Sequence, residues 1–127
     1  MKAMRNKYGA KKVIDPFTKE VFDSKKEYNR YLELMLKQQA GEISDLRRQV
    51  DFELLPAVYE IVERIDRNGH TRKVRRCVER GAHYRADFVY MEDGRQVVED
   101  VKGLHTSEYI LKRKMLLHFH GIRISEV

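Results

Sequence analysis

The chain of 127 residues carries 26 Lys and Arg against 20 Asp and Glu, and Cys77 is its single cysteine. This length predicts one domain over residues 1–127, and a lone cysteine excludes an internal disulfide, as expected in a reducing cytoplasm. No apolar run reaches the length of a membrane span or forms the core of a signal peptide. The net charge of +6 fits a polyanionic partner, although solubility alone also accounts for it.

The first twelve residues form a basic segment that is too polar to pack, and Lys11 and Lys12 stand at its end. We expect a flexible arm that either follows a phosphate backbone or only solubilises the chain. Residues 13–22 then predict two short extended segments around an Asp15-Pro16 turn.

Asp23 and Ser24 begin a predicted helix that runs to about Ala40 and stops at Gly41. Ser24 and Glu27 fit a capping box, in which the Glu27 carboxylate accepts the backbone N–H of Ser24. Apolar side chains recur every three or four residues, which predicts one buried face. The members of that face are Tyr28, Tyr31, Leu32 and Met35.

Residues 43–62 predict one or two strands interrupted at Pro56. Asn68-Gly69 then predicts a hairpin that joins residues 59–66 to residues 72–79, although the first segment also fits a helical turn. The second strand carries four of the six basic side chains of this hairpin, and we expect it either to face DNA or to protect a sheet edge. These side chains are Arg72, Lys73, Arg75 and Arg76.

The most informative region is a second predicted hairpin, with strands over residues 85–91 and 96–102 and positive φ at Asp93-Gly94. Alternation places Val98, Asp100 and Lys102 on one face of the second strand and Val97, Glu99 and Val101 on the other. In the first strand, Arg85, Asp87, Val89 and Met91 should share one face, with Ala86, Phe88 and Tyr90 on the other.

If the register brings Asp87 beside Asp100, two carboxylates gather in otherwise apolar strands. Carboxylates in contact repel unless a proton or cation lies between them, and hard oxygen ligands suit Mg²⁺ or Mn²⁺. Asp87, Asp100 and the carbonyl of Val101 are therefore predicted ligands, and Lys102 could orient or deprotonate a water molecule. Alternatively, Asp87 and Lys102 form a solvated cross-strand ion pair, and Asp100 is a charge at the strand end.

After Gly103, Thr106 is a predicted cap for a helix over residues 107–120, which ends at Gly121 and leads into a strand parallel to the central one. Lys112, Arg113 and Lys114 make this helix basic on one side. The five histidines lack an accompanying Cys pair or helical four-residue spacing, so we assign them no metal.

An acidic residue on one strand followed by Asp100-Val101-Lys102 on the next is similar to the PD-(D/E)XK nuclease superfamily. Residues 22–27, 40–46, 86–90 and 97–103 more closely resemble a small uncharacterised family from phages and phage-derived bacterial loci, which is placed in that superfamily. The short motif alone is weak, and Ala86 stands where the superfamily name has proline. The resemblance implies an α/β, restriction-endonuclease-like mixed β-sheet flanked by helices.

The resemblance also adds Glu27 as a metal ligand and catalytic acid beside its capping alternative, and it implies that Lys112 lies near the scissile phosphate. The function expected is a Mg²⁺- or Mn²⁺-dependent DNA endonuclease, with branched phage DNA as one substrate. The alternatives are a non-catalytic DNA-binding accessory protein and a structural partner subunit. DNA is the expected partner, a homodimer is allowed, and neither a membrane nor a small-molecule cofactor is expected. If a phage encodes the chain, its location is the cytoplasm of the bacterial host.

Overall fold

The computed structural model describes residues 3–5, 11–101 and 105–127. Their elements are β1 (Ala3–Arg5), β2 (Lys11–Ile14), β3 (Val21–Phe22), α1 (Lys25–Gln39), β4 (Ser44–Leu55), β5 (Val58–Ile65), β6 (Thr71–Glu79), β7 (Ala82–Glu92), β8 (Arg95–Asp100), α2 (Ser107–His120) and β9 (Ser125–Glu126). None of the described helices is both long and apolar enough to cross a membrane.

A four-stranded sheet in the order β4-β7-β8-β9 forms the centre of the fold. β4, β7 and β8 are antiparallel, whereas β9 is parallel to β8 and reaches it through α2. The sheet is therefore mixed, and the predicted α/β class with helices flanking a mixed sheet is confirmed. The parallel pairing predicted for the last strand is also correct, although it covers only two residues.

The two helices cover opposite faces of this sheet. Leu34 of α1 packs with Ile43, Phe88 and Tyr90 on one face. On the other face α2 contributes Tyr109 and Leu116 to a larger cluster whose remaining buried members are Leu54, Tyr84, Ala86, Val89, Val98 and Ile124. Burial of these apolar side chains is the main stabilising contribution to the fold.

Local signals set the ends of both helices as predicted. Ser24 Oγ accepts the N–H of Glu27 at 3.1 Å, and Thr106 Oγ1 accepts the N–H of Tyr109 at 3.1 Å. α2 ends at Gly121, which adopts a left-handed φ of 66° that favours glycine. The buried face of α1 differs from the prediction, because Leu34 is buried whereas Leu32 is exposed. The helix is rotated so that Glu27, Tyr28 and Leu34 face inward.

The basic amino-terminal segment also differs from the prediction. Lys11 and Lys12 lie in β2, which pairs with β1 and β3 in a small antiparallel sheet. Val13 in the same strand is buried with Phe22 and Tyr28, and this packing fixes the strand. Residues 1–2 and 6–10, the rest of the predicted flexible arm apart from β1, lie outside the described residues.

Both predicted hairpins are confirmed. Asp93 and Gly94 have φ values of 52° and 75°, as a two-residue turn between β7 and β8 requires. β5 and β6 pair along their lengths, which excludes the helical alternative for residues 58–65.

Candidate metal centre

The candidate metal centre lies where the backbone pairing of β7 and β8 ends. Their ladder has Phe88 opposite Glu99 as its last pair, so continuing the same register brings Asp87 opposite Asp100. After the last backbone pair, the next bond between the two segments involves a side chain. The backbone N–H of Val101 donates to Asp87 Oδ2 at 2.8 Å. The predicted juxtaposition of Asp87 and Asp100 is therefore present, with the Val101 backbone beside them.

The predicted alternation of β7 is wrong at this point. Ala86 and Val89 belong to the cluster under α2, whereas Phe88 and Tyr90 belong to the cluster under α1. Regular alternation would put Ala86 and Phe88 on the same face. The change of phase occurs at Asp87, whose Oδ2 accepts the Val101 N–H.

Asp100 is nearly inaccessible, with 2% of its surface exposed. Its Oδ2 accepts a short hydrogen bond from the Tyr84 hydroxyl. Burial and this hydrogen bond raise the pKa of Tyr84 well above its usual range, so the hydroxyl remains a donor. Asp100 is thus the last residue of β8, as the ion-pair alternative also assumed, and its carboxyl group lies in the interior of the fold.

Burial raises the pKa of Asp87 to about 8, and the adjacent carboxylate of Asp100 adds to this through a hydrogen bond and through charge repulsion. Glu27 raises it further, while the Val101 N–H acts in the opposite direction. In the part of the chain that the structure describes, no Lys or Arg forms an ion pair with Asp87. Two carboxylates in close contact are oxygen ligands between which a divalent cation can bind.

Glu27 projects from the first turn of α1 and has only 3% of its surface exposed. Its Oε2 accepts the N–H of Asp23 at 3.3 Å, one residue before the position expected for a capping box. Its Oε1 accepts Gln49 Nε2 at 3.0 Å and lies 3.7 Å from Arg48 Nη2. Burial raises the pKa of Glu27, and the Asp23 charge adds to this against the effect of Arg48.

Gln49 connects the helix acid to the strand acid and was not identified from the sequence. Its Nε2 donates to Glu27 Oε1 at 3.0 Å and to Asp87 Oδ1 at 3.4 Å. Gln49 has a left-handed φ of 51°, and the register of β4 with β7 puts it opposite Asp87. The only sequence signal for Gln49 was a polar side chain in the middle of a strand. Its neighbour Arg48 has the same feature, so this signal does not single out Gln49.

The amide of Gln49 also separates Glu27 from the Asp87–Asp100 pair. Within residues 11–101 and 105–127, no three His, Cys, Asp or Glu side chains lie close enough together to hold a metal ion. The groups that could hold a cation are therefore the two aspartates with the backbone at Val101, and Glu27 is linked to Asp87 through Gln49. Lys102, the predicted water-orienting residue, lies outside the described residues.

Next to Asp100 on β8, Glu99 points to the opposite face and is almost fully buried, as alternation predicted. Arg30 of α1 binds it with two parallel hydrogen bonds, Nε to Oε1 at 2.9 Å and Nη2 to Oε2 at 2.6 Å. Tyr90 donates a further short hydrogen bond to Glu99 Oε2. The two acidic neighbours thus have different environments, since Glu99 is neutralised by a guanidinium and Asp87 with Asp100 repel each other.

The predicted DNA-binding residues lie on three elements. The basic residues of β6 are exposed. Arg76 Nη2 pairs with Glu60 Oε1 at 2.7 Å, and the Arg75 guanidinium stacks on the Tyr59 ring. On α2, Lys112 Nζ contacts Glu108 Oε1 at 3.1 Å. Arg113 Nη1 contacts Glu126 Oε1 at 3.2 Å, Lys114 is exposed, and Lys11 and Lys12 lie on β2. Three apolar residues of α2, Leu111, Leu117 and Phe119, are exposed.

The protein is thus an α/β domain in which Asp87 and Asp100 lie together where the pairing of β7 and β8 ends. The profile of a family described as "Protein of unknown function (DUF1064)" matches residues 5–126, and the chain belongs to that family. No curated protein and no solved structure matches the chain.

Proposed function

We propose that the chain is a divalent-metal-dependent endonuclease that hydrolyses phosphodiester bonds of DNA. The observation that carries this proposal is the interior contact between Asp87 and Asp100. Burial, with this contact added, raises the pKa of Asp87 to about 8, and among the described residues no Lys or Arg forms an ion pair with Asp87. A fold under no functional constraint would gain stability by replacing one of these carboxylates. Destabilising groups retained in an interior are typical of functional sites.

Asp87, Asp100 and the carbonyl of Val101 would hold Mg²⁺ or Mn²⁺, which lowers the pKa of a water molecule and stabilises the charge that develops on a phosphate. The protein's own groups hold these ligands in place. Tyr84 fixes the orientation of the Asp100 carboxylate, and the Val101 N–H and Gln49 fix that of Asp87. Lys102 follows directly in the sequence and is the group we assign to orienting or deprotonating the attacking water.

We assign Glu27 as an acid that acts on this centre through Gln49. The Nε2 amide group of Gln49 donates hydrogen bonds both to Glu27 Oε1 and to Asp87 Oδ1. The restriction-endonuclease-like architecture, membership of the PD-(D/E)XK superfamily, a phage origin and a place in the host cytoplasm are parts of the same proposal. The mixed sheet with a helix on each face is consistent with the architectural part of this proposal. DNA with branches is one candidate substrate.

A second candidate is a DNA-binding accessory protein without catalytic activity. The observation in its favour is that no third carboxylate or histidine joins Asp87 and Asp100 closely enough to complete a cluster within the described part of the chain. The positive charge of +6 would serve DNA binding in either case.

The test uses metal-stripped protein with labelled linear and branched DNA in EDTA, Mg²⁺ or Mn²⁺. We expect cleavage only with metal, and Asp87→Asn or Asp100→Asn should lower it on the order of a hundredfold or more, the scale of losing one electrostatic contact to a transition state. Asp93→Asn, an equal change of charge in the exposed turn of the same hairpin, should cleave normally. Titration calorimetry with Mn²⁺ gives a readout without activity. DNA binding with neither cleavage nor heat from Mn²⁺ would favour the accessory protein.

A further inference from the structure

The strands β5 and β6 form an arm outside the core, which we call the β5–β6 arm (residues 58–79). They pair only with each other, and neither strand contains a buried residue. Eight residues of extended strand give the arm a length of about 27 Å. A two-stranded ribbon of this kind is marginally stable by itself, so its persistence depends on the strands from which it continues.

The base of the arm is held firmly on the central sheet. β5 follows β4 and β7 follows β6 after two residues each, at positions 56–57 and 80–81. Gly81 packs so closely that a Cβ atom there would lie 3.0 Å from the carbonyl oxygen of Leu55. Because this contact joins backbone to backbone, it limits the directions in which the arm can leave the sheet.

Near the tip, two arginines with the same charge face each other. Arg64 on β5 is directly opposite Arg72 on β6, so both guanidinium groups lie on one face. Like charges in directly opposed positions destabilise a β-sheet. Among the described residues neither arginine has an acidic partner, in contrast to Arg76, which pairs with Glu60 on the same face at 2.7 Å. This arrangement favours an external anion that contacts both arginines.

Two occupants of the Arg64–Arg72 face can be compared, a second copy of the chain and a nucleic acid. The charge of the arm distinguishes between them. Residues 58–79 contain six Lys and Arg against four Asp and Glu. If two copies packed through the Arg64–Arg72 face, the four guanidinium groups of Arg64 and Arg72 would gather, while the Glu60 carboxylate of that face already pairs with Arg76. Electrostatic repulsion opposes such an arrangement. The exposed apolar residues Tyr59, Ile61 and Ile65 lie on the other face. Nucleic acid supplies closely spaced phosphates, and the major groove of duplex DNA admits a two-stranded β-ribbon.

We propose that the β5–β6 arm binds the phosphate backbone of double-stranded DNA through Arg64 and Arg72, at a distance from the bond that is cut. This inference rests on the proposed function and deepens it, because it makes duplex DNA that extends beyond the cleavage site the substrate class. Thr71 lies sixteen residues before Asp87 along nearly continuous strand. The tip can therefore lie at most about 55 Å from the metal centre, which corresponds to about 16 base pairs of duplex.

The experiment measures DNA binding in EDTA, so that no cleavage occurs, by fluorescence anisotropy at several salt concentrations. The probes are duplexes of about 10 and 40 base pairs and a single strand as long as the second, since about 10 base pairs span only about 34 Å. The arm variant is Arg64→Gln with Arg72→Gln. The control is Arg95→Gln with Arg123→Gln, which removes the same charge from two exposed positions outside the arm.

The arm variant should bind the long duplex about tenfold or more weakly, and its slope of log affinity against log salt should fall by about 1.8 because two phosphate contacts are lost. The slope of the control should fall by less than half of that amount. The two variants should bind the short duplex with equal affinity. Circular dichroism and melting confirm that both variants are folded. Equal losses in the arm variant and the control, or an equal arm effect on single strands, would overturn the duplex assignment.

Sedimentation of the wild type tests the competing occupant. A dimer that dissociates in Ile61→Ser but not in the arginine variant would assign the arm to a second copy of the chain and overturn the proposal. The two proposals can fail separately. If no metal supports cleavage but the arm variant still weakens DNA binding, only the nuclease proposal fails. If cleavage depends on metal but the arm variant has no effect on binding, only the proposal for the arm fails.

Discussion

Asp87 and Asp100 occupy opposed positions at the first step beyond the paired part of β7 and β8, and their carboxyl groups interact inside the fold. Asp100 is also bound by Tyr84, and Asp87 by the Val101 N–H and Gln49. These contacts orient two carboxyl groups that lie close together inside the fold. The centre therefore has a cost in stability when no cation is present, and this cost can be measured.

Asp87→Asn should make the metal-free protein more stable at neutral pH. An amide carries no charge, so the variant avoids keeping a carboxyl group with a pKa of about 8 protonated. We expect a gain of about 2 kcal/mol, or roughly 6 °C in melting temperature. The same variant should no longer be stabilised by Mn²⁺, because a ligand stabilises only the state that binds it.

Melts of wild type and Asp87→Asn in EDTA and in Mn²⁺ check this, with Asp93→Asn as the exposed control. If Asp87 instead forms an ion pair with Lys102, the variant should melt earlier and the wild type should not respond to metal. Destabilisation of Asp87→Asn together with an unresponsive wild type would contradict the catalytic assignment.

The free energy of unfolding of the metal-free protein should fall as the pH rises from about 4 to about 8. Unfolded Asp titrates near a pKa of about 3.9, whereas burial and Asp100 raise the pKa of folded Asp87 to about 8. Between these values the folded state binds the additional proton, so rising pH favours unfolding. The contribution is complete below the unfolded pKa and is lost as the pH passes the folded one. The raised pKa of Glu27 acts in the same direction.

Denaturant titrations across this range check the dependence, and the comparison with Asp87→Asn isolates one group from the rest. The stability advantage of the variant should be smallest near pH 4 and should grow toward pH 8. A difference between the two proteins that is independent of pH would show that Asp87 has an ordinary pKa in the folded state.

Gln49→Ala should lower metal-dependent activity more than it lowers stability. The substitution removes the amide that contacts both Glu27 and Asp87, so the carboxylate of Asp87 loses one of its orienting contacts. Losing a contact of this kind behind a ligand costs about 10- to 100-fold in metal affinity or activity, while the hydrogen bonds contribute only about 1 kcal/mol each to folding.

Gln38→Ala is the matched control, since Gln38 Oε1 accepts the N–H of Leu46 at 2.9 Å at the other end of α1. It should lose similar stability and retain the affinity for Mn²⁺ measured by calorimetry. Equal losses of Mn²⁺ affinity in both variants would mean that Gln49 acts only through the fold.

Arg30→Met should destabilise the protein by about 3 kcal/mol, because it leaves the Glu99 carboxylate buried without its guanidinium partner. Arg30→Met combined with Glu99→Gln should recover most of this loss, since the double variant carries no unpaired interior charge. Arg85→Met provides the contrast: its partner Asp51 is about half exposed, so the loss should be less than about 1 kcal/mol. Chemical denaturation of the four proteins checks the series, and a double variant no more stable than Arg30→Met would contradict it.

Much of the fold follows from local features of the sequence. Asp93-Gly94 predicted the β7–β8 turn, and both residues have the positive φ that this turn needs. Ser24, Thr106 and Gly121 predicted the ends of the helices because capping depends on residues within one turn. Alternation along β8 correctly separated Asp100 from Glu99, since a regular strand has a strict period of two.

The tertiary structure decided what depends on contacts between distant residues. Which face of α1 is buried depends on the small amino-terminal sheet and on β4, and these contacts bury Leu34 and leave Leu32 exposed. The change of phase at Asp87 follows from its bond to Val101, fourteen residues away. Gln49 reaches Asp87 across thirty-eight residues. The sequence alone determined the periodic elements and the pairing that joins Asp87 to Asp100, because these depend on neighbours along one hairpin. Only the packing of β4 and α1 on that hairpin decided that Gln49 contacts Asp87 and that Arg30 neutralises Glu99, since those bonds form between segments that the chain brings together by folding.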